Sequence, residues 1–378
     1  MELRRRKLGL IFSNNIQWIG GTYYIINLIH ALSILEDNLK PELIILSDEK
    51  DYQFLLKQID YPFISFELFD ENPRSKLGRF LNKVIGKIFG KKLLFRRMKS
   101  EIDGIFPFEK NNYFKNIPLD KQIYWIPDFQ DKQLPHFFTT EDLKKRDKRN
   151  SWIAYHSKIL VVSSESVLRD LKEFYPKYST NVQVVNFAVT HPKYEQLDIN
   201  QLRIEYNLPE DYFFAPNQFW AHKNQITIIR AVAELKKQGI DLVVAFSGKE
   251  NDNRNPEYFP SLKKVVEENG LSENIKFLGF LDREVQLQLM NHSKAIIQPS
   301  LFEGWSTVIE DAMAMNQTII ASDLEVNKEQ LGDKGIYFER LNSQELANIF
   351  KDFKPSKRKY DYHSKLKEFA TQFYNILN

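Results

Sequence analysis

Short apolar runs bounded by turn residues alternate along the chain with longer stretches whose apolar residues recur every three or four positions. The first pattern is that of a buried strand, the second that of an amphipathic helix. Lys7–Ser13 reads as the opening strand, Asn14–Gly21 as a loop and Thr22 as the start of a helix. Strand-like runs recur at Glu42–Leu46, Phe63–Phe69, Gly104–Phe108, Gln122–Ile126, Ile159–Ser163 and Val182–Phe187, with helical patterns at Glu141–Ser157 and Glu165–Phe174. From Thr190 to Pro209 the periodicity loosens, as in a linker. A second series then runs through strands at Tyr212–Pro216, Leu242–Ser247, Ile275–Phe280 and Gly335–Glu339, with helices from Lys223, Tyr258, Arg283 and Ser343 and a final helix at His363–Leu377. This alternation predicts an α/β fold, with parallel sheets covered by helices on both faces, in two similar halves.

The most informative stretch is Ala295–Ser322. Its apolar run Ala295–Ile297 stops at Pro299-Ser300, and the loop Leu301–Trp305 carries Glu303 and Gly304. Ser306 and Thr307 supply helix-capping hydroxyls, and Glu310 stands three residues after Thr307, as in a capping box. Val308, Ala312 and Met315 mark one helical face, and Thr318–Ala321 is a second buried strand. A carboxylate beside a helix N-terminus, at the carboxyl end of a parallel strand, is where open α/β sheets bind ligands.

Length and composition divide the chain and exclude some chemistry. At 378 residues and 43% hydrophobic content there is enough for two cores. The division predicted is residues 1–195 and 196–360. The absence of cysteine excludes disulfides and thiolate metal sites and is compatible with a reducing compartment, and the seven histidines are scattered without metal-ligand spacing. The N-terminal MELRRRKLGLIFSNN has too short an apolar run for a signal peptide and fits a first strand better. No segment approaches the roughly 18 apolar residues of a membrane span.

Net charge is +3, yet ten basic residues and no acid lie between Arg74 and Lys99, so the remainder carries −7. The positive charge is local, which weakens a nucleic-acid reading. Within that segment Leu77, Phe80, Leu81, Val84, Ile85, Ile88 and Phe89 fall at helical spacing, opposite Lys76, Arg79, Lys83 and Lys87, with Lys91 and Lys92 just beyond. A basic amphipathic helix suits an anionic membrane surface. The alternative is an ordinary surface helix that packs its apolar face on the first domain, and Gly78, Gly86 and Gly90 weaken it as an autonomous helix.

Three turns look like sites. Gly20-Gly21 before a helix can bring backbone N–H groups close to an anion, or can be a plain turn, and it is not the G-x-G-x-x-G fingerprint. Asp128 follows a strand closed by Pro127, with Asp131 and His136 in the aromatic loop beyond, and a turn or cap is the ordinary reading of such an aspartate. Ser164 repeats the arrangement and can simply cap the next helix. Lys223 at the start of a helix conflicts with the helix dipole unless an anion pairs with it, or it is a solvated lysine.

Together these segments resemble the retaining family-4 glycosyltransferases of glycosyl transferases group 1, with the two-domain GT-B fold. The resemblance rests on Phe302-Glu303-Gly304-Trp305 with an acid eight positions after Glu303, followed by Ala312-Met313-Ala314. Leu278-Gly279-Phe280, Gln298-Pro299-Ser300, Lys223 and Gly20-Gly21 complete it, covering residues 210–340 well and the first half loosely. It implies two Rossmann-like domains facing a central cleft, the first binding the acceptor and the second the sugar nucleotide, with the helix at 361–378 crossing back to the first.

By the same resemblance Glu303 would contact donor-sugar hydroxyls and Lys223 would neutralise the diphosphate. N–H groups at Ser306-Thr307 would take the distal phosphate, with Gly20-Gly21 approaching from the other domain. Phe280 and Ser300 would lie near the base. The register puts Asp311 at the ribose position, with Glu310 one place early. The family's arginine five residues before the lysine is Gln218 here, so that contact with the diphosphate is neutral. Where the family often has a histidine before the aspartate, this chain has Pro127-Asp128.

The activity implied is metal-independent transfer with retention, from a nucleotide-diphosphate sugar to a glycan or lipid-linked acceptor in surface polysaccharide or lipopolysaccharide synthesis. No cofactor or metal is expected, and no D-x-D sequence is present to hold a divalent cation. No residue stands out as a nucleophile, which favours front-face attack assisted by the leaving phosphate. The location expected is cytoplasmic, peripheral on the inner face of the membrane. The alternatives are a non-catalytic sugar-nucleotide-binding partner subunit and a GT-B sugar-nucleotide epimerase.

Overall fold

The structure is a computed structural model that describes residues 4–15, 19–70, 72, 75–89, 94–252, 254–356 and 358–377. The first half runs β1 (Lys7–Ile11), α1 (Ile19–Ser33), β2 (Glu42–Ser47), α2 (Glu49–Leu56), β3 (Ile64–Leu68), α3 (Lys76–Phe89), β4 (Gly104–Phe106), β5 (Ile123–Ile126), α4 (Gln130–Gln133), α5 (Thr140–His156), β6 (Ile159–Val162), α6 (Glu165–Phe174) and β7 (Asn181–Val184). Its strands lie in the order β3-β2-β1-β4 and β5-β6-β7, and a parallel bridge from Ile105 to Gln122 joins the two sets.

The second half runs α7 (Ile199–Glu205), β8 (Phe213–Ala215), α8 (Gln225–Lys237), β9 (Val244–Phe246), α9 (Tyr258–Glu268), β10 (Ile275–Phe277), α10 (Arg283–Asn291), β11 (Ile296–Gln298), α11 (Thr307–Ala314), β12 (Ile319–Ser322), α12 (Glu325–Leu331), β13 (Ile336–Phe338), α13 (Ser343–Lys351) and α14 (Tyr362–Asn375). Its sheet order is β10-β9-β8-β11-β12-β13, all parallel, the doubly wound arrangement whose ligands bind where the order reverses, between β8 and β11.

The strands are apolar on both faces because helices cover both. Leu8, Leu10, Leu43 and Ile45 are fully buried in the first sheet, and Ile296, Ile297, Ile319 and Ile320 in the second. The loosened stretch at Thr190–Pro209 contains a helix after all, α7, started by the Asp198 side chain accepting from the Asn200 N–H. The expected division at 195/196 falls just before it.

The last helix belongs to the first half's core. Phe369, Ala370 and Phe373 of α14 are fully buried among Tyr24, Phe106 and the other side chains packed between α1 and the first sheet. Tyr362, at the head of α14, accepts from the Val189 N–H (2.8 Å) and donates to Glu310 Oε2 (2.7 Å), so the helix also ties the connecting segment to α11.

The α3 helix is amphipathic, and it docks by the edge that carries Asn82, leaving both apolar and basic residues exposed. Its buried Asn82 bonds both the N–H and the carbonyl of Leu94, at 2.9 and 2.6 Å. Its apolar residues Leu77 and Phe80 are 67% and 62% exposed, and Leu81 and Val84 are exposed beside them. Arg79, Lys83 and Lys87 are exposed as well, while Lys91 and Lys92 lie outside the described residues. No helix among the described residues is long and apolar enough to cross a membrane.

Replacing Phe373 by alanine removes a fully buried ring from the α14–α1 contact and is expected to destabilise the fold by about 3–5 kcal/mol. Phe280→Ala, on an exposed turn, is expected to change stability by less than about 0.5 kcal/mol. Chemical denaturation of the two variants measures the difference.

Candidate active site

The carboxyl ends of β8 and β11 point into the space between the halves, and Glu303 stands there. Its Oε1 accepts from Lys223 Nζ (2.6 Å), Ser300 Oγ (2.6 Å) and Gln298 Nε2 (2.7 Å). All three bonds fall on one oxygen, and both Lys223 and Glu303 are mostly buried. Gln298 is itself held by Asn217 (2.9 Å), so the shell that orients Glu303 is rigid. Ser300, expected beside the base, is instead fully buried as part of that shell.

Lys223 does not open a long helix as its sequence position suggested. It ends a single 3-10 turn, Ala221–Lys223, and Asn224 then adopts a left-handed conformation (φ 56°) before α8 begins. The Asn224 side-chain amide donates to the carbonyls of Pro299 and Arg340, which fixes that break. The conflict with a helix dipole therefore does not arise, and a carboxylate partner for the ammonium does.

Ser306 caps α11 by accepting from the Ile309 N–H (3.3 Å). The expected capping box does not form, because the cap is Ser306 rather than Thr307, and Glu310 points elsewhere. Glu310 is fully buried against Gln330 (2.8 Å) and Tyr362 (2.7 Å), with Lys365 at 3.5 Å, and burial pushes its carboxyl upward. The Ser306 N–H is also occupied, by Gln330 Oε1 at 3.2 Å. Thr307, half-buried, then offers the first helical N–H of α11.

Asp311 lies in a different environment one residue on. Arg283 binds it through both terminal nitrogens, and His191 Nε2 is 3.1 Å from Oδ1. Burial alone would raise this carboxyl, but Arg283 and His191 hold it below the ordinary range. The Arg283 guanidinium lies 5.4 Å from the ring of Tyr23 in the first half. His191 and Arg283 carried no motif that separates them from other surface residues in the sequence.

Asp128 faces this group from the first half. Burial raises its carboxyl, the Gln130 N–H (3.0 Å) opposes that, and the negative charge of Glu303 adds to it. The contact between the halves is backbone to backbone: a Cβ on Gly304 would overlap the Pro127 carbonyl oxygen and come within 2.9 Å of Asp128 Cβ. Next to it Trp305 Nε1 donates to the Phe187 carbonyl (3.0 Å). Glu329 of α12 accepts from the N–H groups of Glu165 and Ser166 at the start of α6, at 2.8 and 3.0 Å, a carboxylate on a helix N-terminus. Ser164 caps that same helix. Asp131 is buried with neither carboxylate oxygen hydrogen-bonded, and His136 is exposed.

Gly20 and Gly21 are not in a loop. They lie in the first turn of α1, which starts at Ile19, and Thr22 anchors that turn to the end of β1 through Ser13 and Asn15. First-turn N–H groups have no acceptor within a helix, so an N-terminal glycine pair still leaves its amides available. Phe280 is 56% exposed on its turn, with Lys249 Nζ 5.3 Å from the ring. Gln218 uses its main-chain carbonyl to accept from Gln225 Nε2 (2.9 Å) and the Trp220 N–H (2.8 Å).

Residues 199–372 match the family described as glycosyl transferases group 1. That part of the chain is similar to the family, and the chain as a whole has the two-domain GT-B fold. A glycosyltransferase from Rickettsia africae superposes with a TM-score of 0.62 at 16% identity, over 99% of this chain and 94% of that one. Anabaena HepE in complex with UDP-glucose gives 0.59 at 16% identity, over 98% and 94%. In sequence, the O-antigen chain mannosyltransferase RfbU of Salmonella typhimurium is 27% identical over 128 residues, 34% of this chain and 34% of that protein.

Gly304→Ala is expected to hold the halves apart while each stays folded. Small-angle scattering should report a larger radius of gyration than wild type, with helical circular dichroism unchanged.

Proposed function

We propose that the protein is a retaining, metal-independent glycosyltransferase. It moves a sugar from a nucleotide-diphosphate sugar to a glycan or lipid-linked acceptor in surface polysaccharide synthesis. The observation that carries this reading is the Lys223–Glu303 pair beside the start of α11 and opposite Asp128. A diphosphate calls for a cation and unpaired N–H groups, and a sugar calls for a carboxylate to bind its hydroxyls. Both are present within one hydrogen bond of each other. The group 1 match, and the UDP-glucose held by HepE on a similar fold, support a nucleotide-sugar donor. The O-antigen mannosyltransferase relative supports a polysaccharide acceptor.

In this reading Lys223 and the Thr307 N–H take the diphosphate, with the first turn of α1 at Gly20-Gly21 approaching from the other side. Glu303 binds donor hydroxyls and the Phe280 turn flanks the base, whereas Asp311, expected at the ribose, is buried with both oxygens held by Arg283 and is not open to it. Asp128 lies beside the reacting carbon. The acceptor oxygen bonds to the anomeric carbon on the face from which the phosphate oxygen departs, and that departing oxygen takes the acceptor's proton. Positive charge from Lys223 and the helix start stabilises the leaving group, so the reading needs no metal.

Glu303→Gln and Lys223→Ala are each expected to lower transfer about 100- to 1,000-fold. Release of nucleoside diphosphate from UDP-glucose, GDP-mannose or ADP-glucose measures it, and the anomeric proton of the product reports retention. Unchanged release in both variants would refute the catalytic reading. Nucleotide binding without turnover in the wild type would favour the partner-subunit alternative.

The same proposal stations the protein on an anionic membrane through α3. The support is the exposure of both faces: Asn82 docks the helix while Leu77 and Phe80 stand out alongside Arg79, Lys83 and Lys87. Apolar side chains enter the lipid interface and the cations pair with headgroups. Changing Arg79, Lys83 and Lys87 to glutamine is expected to weaken sedimentation with phosphatidylglycerol vesicles by about 1 kcal/mol per charge. Equal binding of wild type and variant would refute this station.

A further inference from the structure

The donor site as described has one cation, Lys223, for a diphosphate that carries more than one negative charge. The position from which the resembled family supplies a second is the neutral Gln218. We infer that Arg254 is the second cation, supplied from the β9–α9 loop, and that it binds the distal phosphate of the nucleotide-diphosphate sugar. This inference rests on the donor reading proposed above.

Two loops are built as one platform. The Phe219 N–H donates to the Lys249 carbonyl (3.0 Å), and Gly248, at φ 151°, packs so closely that a Cβ there would sit 2.5 Å from the Asn217 carbonyl oxygen and 2.7 Å from Gln218 Cα. Whatever the β9–α9 loop carries is thereby placed against residues 217–223. What it carries is Arg254, whose stem is fixed by Asp252: Oδ1 accepts from the Arg254 N–H (3.0 Å) and from Nε (3.4 Å). The guanidinium then lies 5.4 Å from the ring of Trp220, midway in sequence between Gln218 and Lys223. Arg254 and Lys223 also act together on buried His222: burial lowers its imidazole most, and both positive charges lower it further.

Asp252 pairs with the Arg254 guanidinium through Nε alone (3.4 Å), and the two terminal nitrogens meet no carboxylate among the described residues. Among those residues they meet one acceptor, the neutral Gln130 Oε1 at 3.3 Å, while the ring of Phe138 lies 5.1 Å away. Gln130 and Phe138 belong to the first half, so the guanidinium sits in the cleft itself, with the side chain 28% exposed. A planar fork of N–H donors, held at its stem and open at its tip, matches a phosphate with two oxygens presented side by side. The sugar end of the site is marked by Glu303 on Lys223, so the cation beside Lys223 meets the phosphate nearest the sugar.

The test compares full-length wild type, Arg254→Gln, Gln218→Arg and the double variant by calorimetry with UDP, GDP and ADP, and with the matching monophosphates. For the diphosphate that wild type binds, Arg254→Gln is expected to lose roughly 10- to 100-fold in affinity. The monophosphate should change by less than about twofold, and Gln218→Arg in the Arg254→Gln background should recover the diphosphate affinity to within about threefold. Equal loss of mono- and diphosphate would overturn the inference, since it marks a disturbed loop. So would unchanged diphosphate affinity, or failure of Gln218→Arg to rescue, which marks a latch between the halves. If wild type binds none of the diphosphates, the donor reading itself fails, and this inference with it.

Discussion

The site depends on a backbone contact. Where Gly304 meets Pro127 there is no room for a Cβ, so the loop that carries Glu303 and the strand end that carries Asp128 approach as closely as main chains can. A side chain at Gly304 would push the two carboxylates apart. The contact is reinforced from both sides, by Trp305 on the Phe187 carbonyl and by Glu329 on the start of α6. Neither bond is large by itself. Trp305 adjoins the glycine and Glu329 adds a second tie from α12, so the halves are joined at more than one point.

Within that frame, burial sorts the acids. Glu310 and Asp311 are neighbours on one helix and equally inaccessible, yet their carboxyls move in opposite directions. The difference is the partner. A fork of guanidinium nitrogens and an imidazole on Asp311 outweigh its loss of hydration, whereas Gln330, Tyr362 and a more distant ammonium on Glu310 do not. Helical geometry enforces the split, since adjacent side chains project about 100° apart and so face different elements. Glu310 thereby anchors α14, and Asp311 joins α10 to the segment that connects the halves.

The alternation of strands and helices was legible because two-sided burial leaves apolar runs whose period differs from that of a helix. Glu303 and Asp128 were legible as acids just past strand ends, and Lys223 as a cation set against a helix start. Other features turn on one-residue details. Gly20-Gly21 reads as loop because glycine disfavours helices, but a first turn tolerates it. Asn224 adopts a left-handed conformation on the strength of side-chain bonds to Pro299 and Arg340, residues remote in sequence. Arg283, His191 and Arg254 were invisible for the same reason: each takes its meaning from a partner in another element. The period of α3 was plain, but which side would dock was not, since a single asparagine decided it.

The Lys223–Glu303 pair gives the site its character. A buried ammonium and carboxylate each lose hydration, and one short bond between them offsets much of that loss only while both remain. A phosphate arriving at Lys223 would draw the ammonium away from Glu303 and leave that carboxylate with the Gln298 amide and the Ser300 hydroxyl. Those neutral donors hold it in place without neutralising it. The carboxylate would then be a stronger acceptor for sugar hydroxyls than it is while paired with Lys223. In the proposed reading, phosphate and sugar recognition would thus be coupled through this one contact, and a ligand that supplied only one of the two would leave the other partner buried and uncompensated.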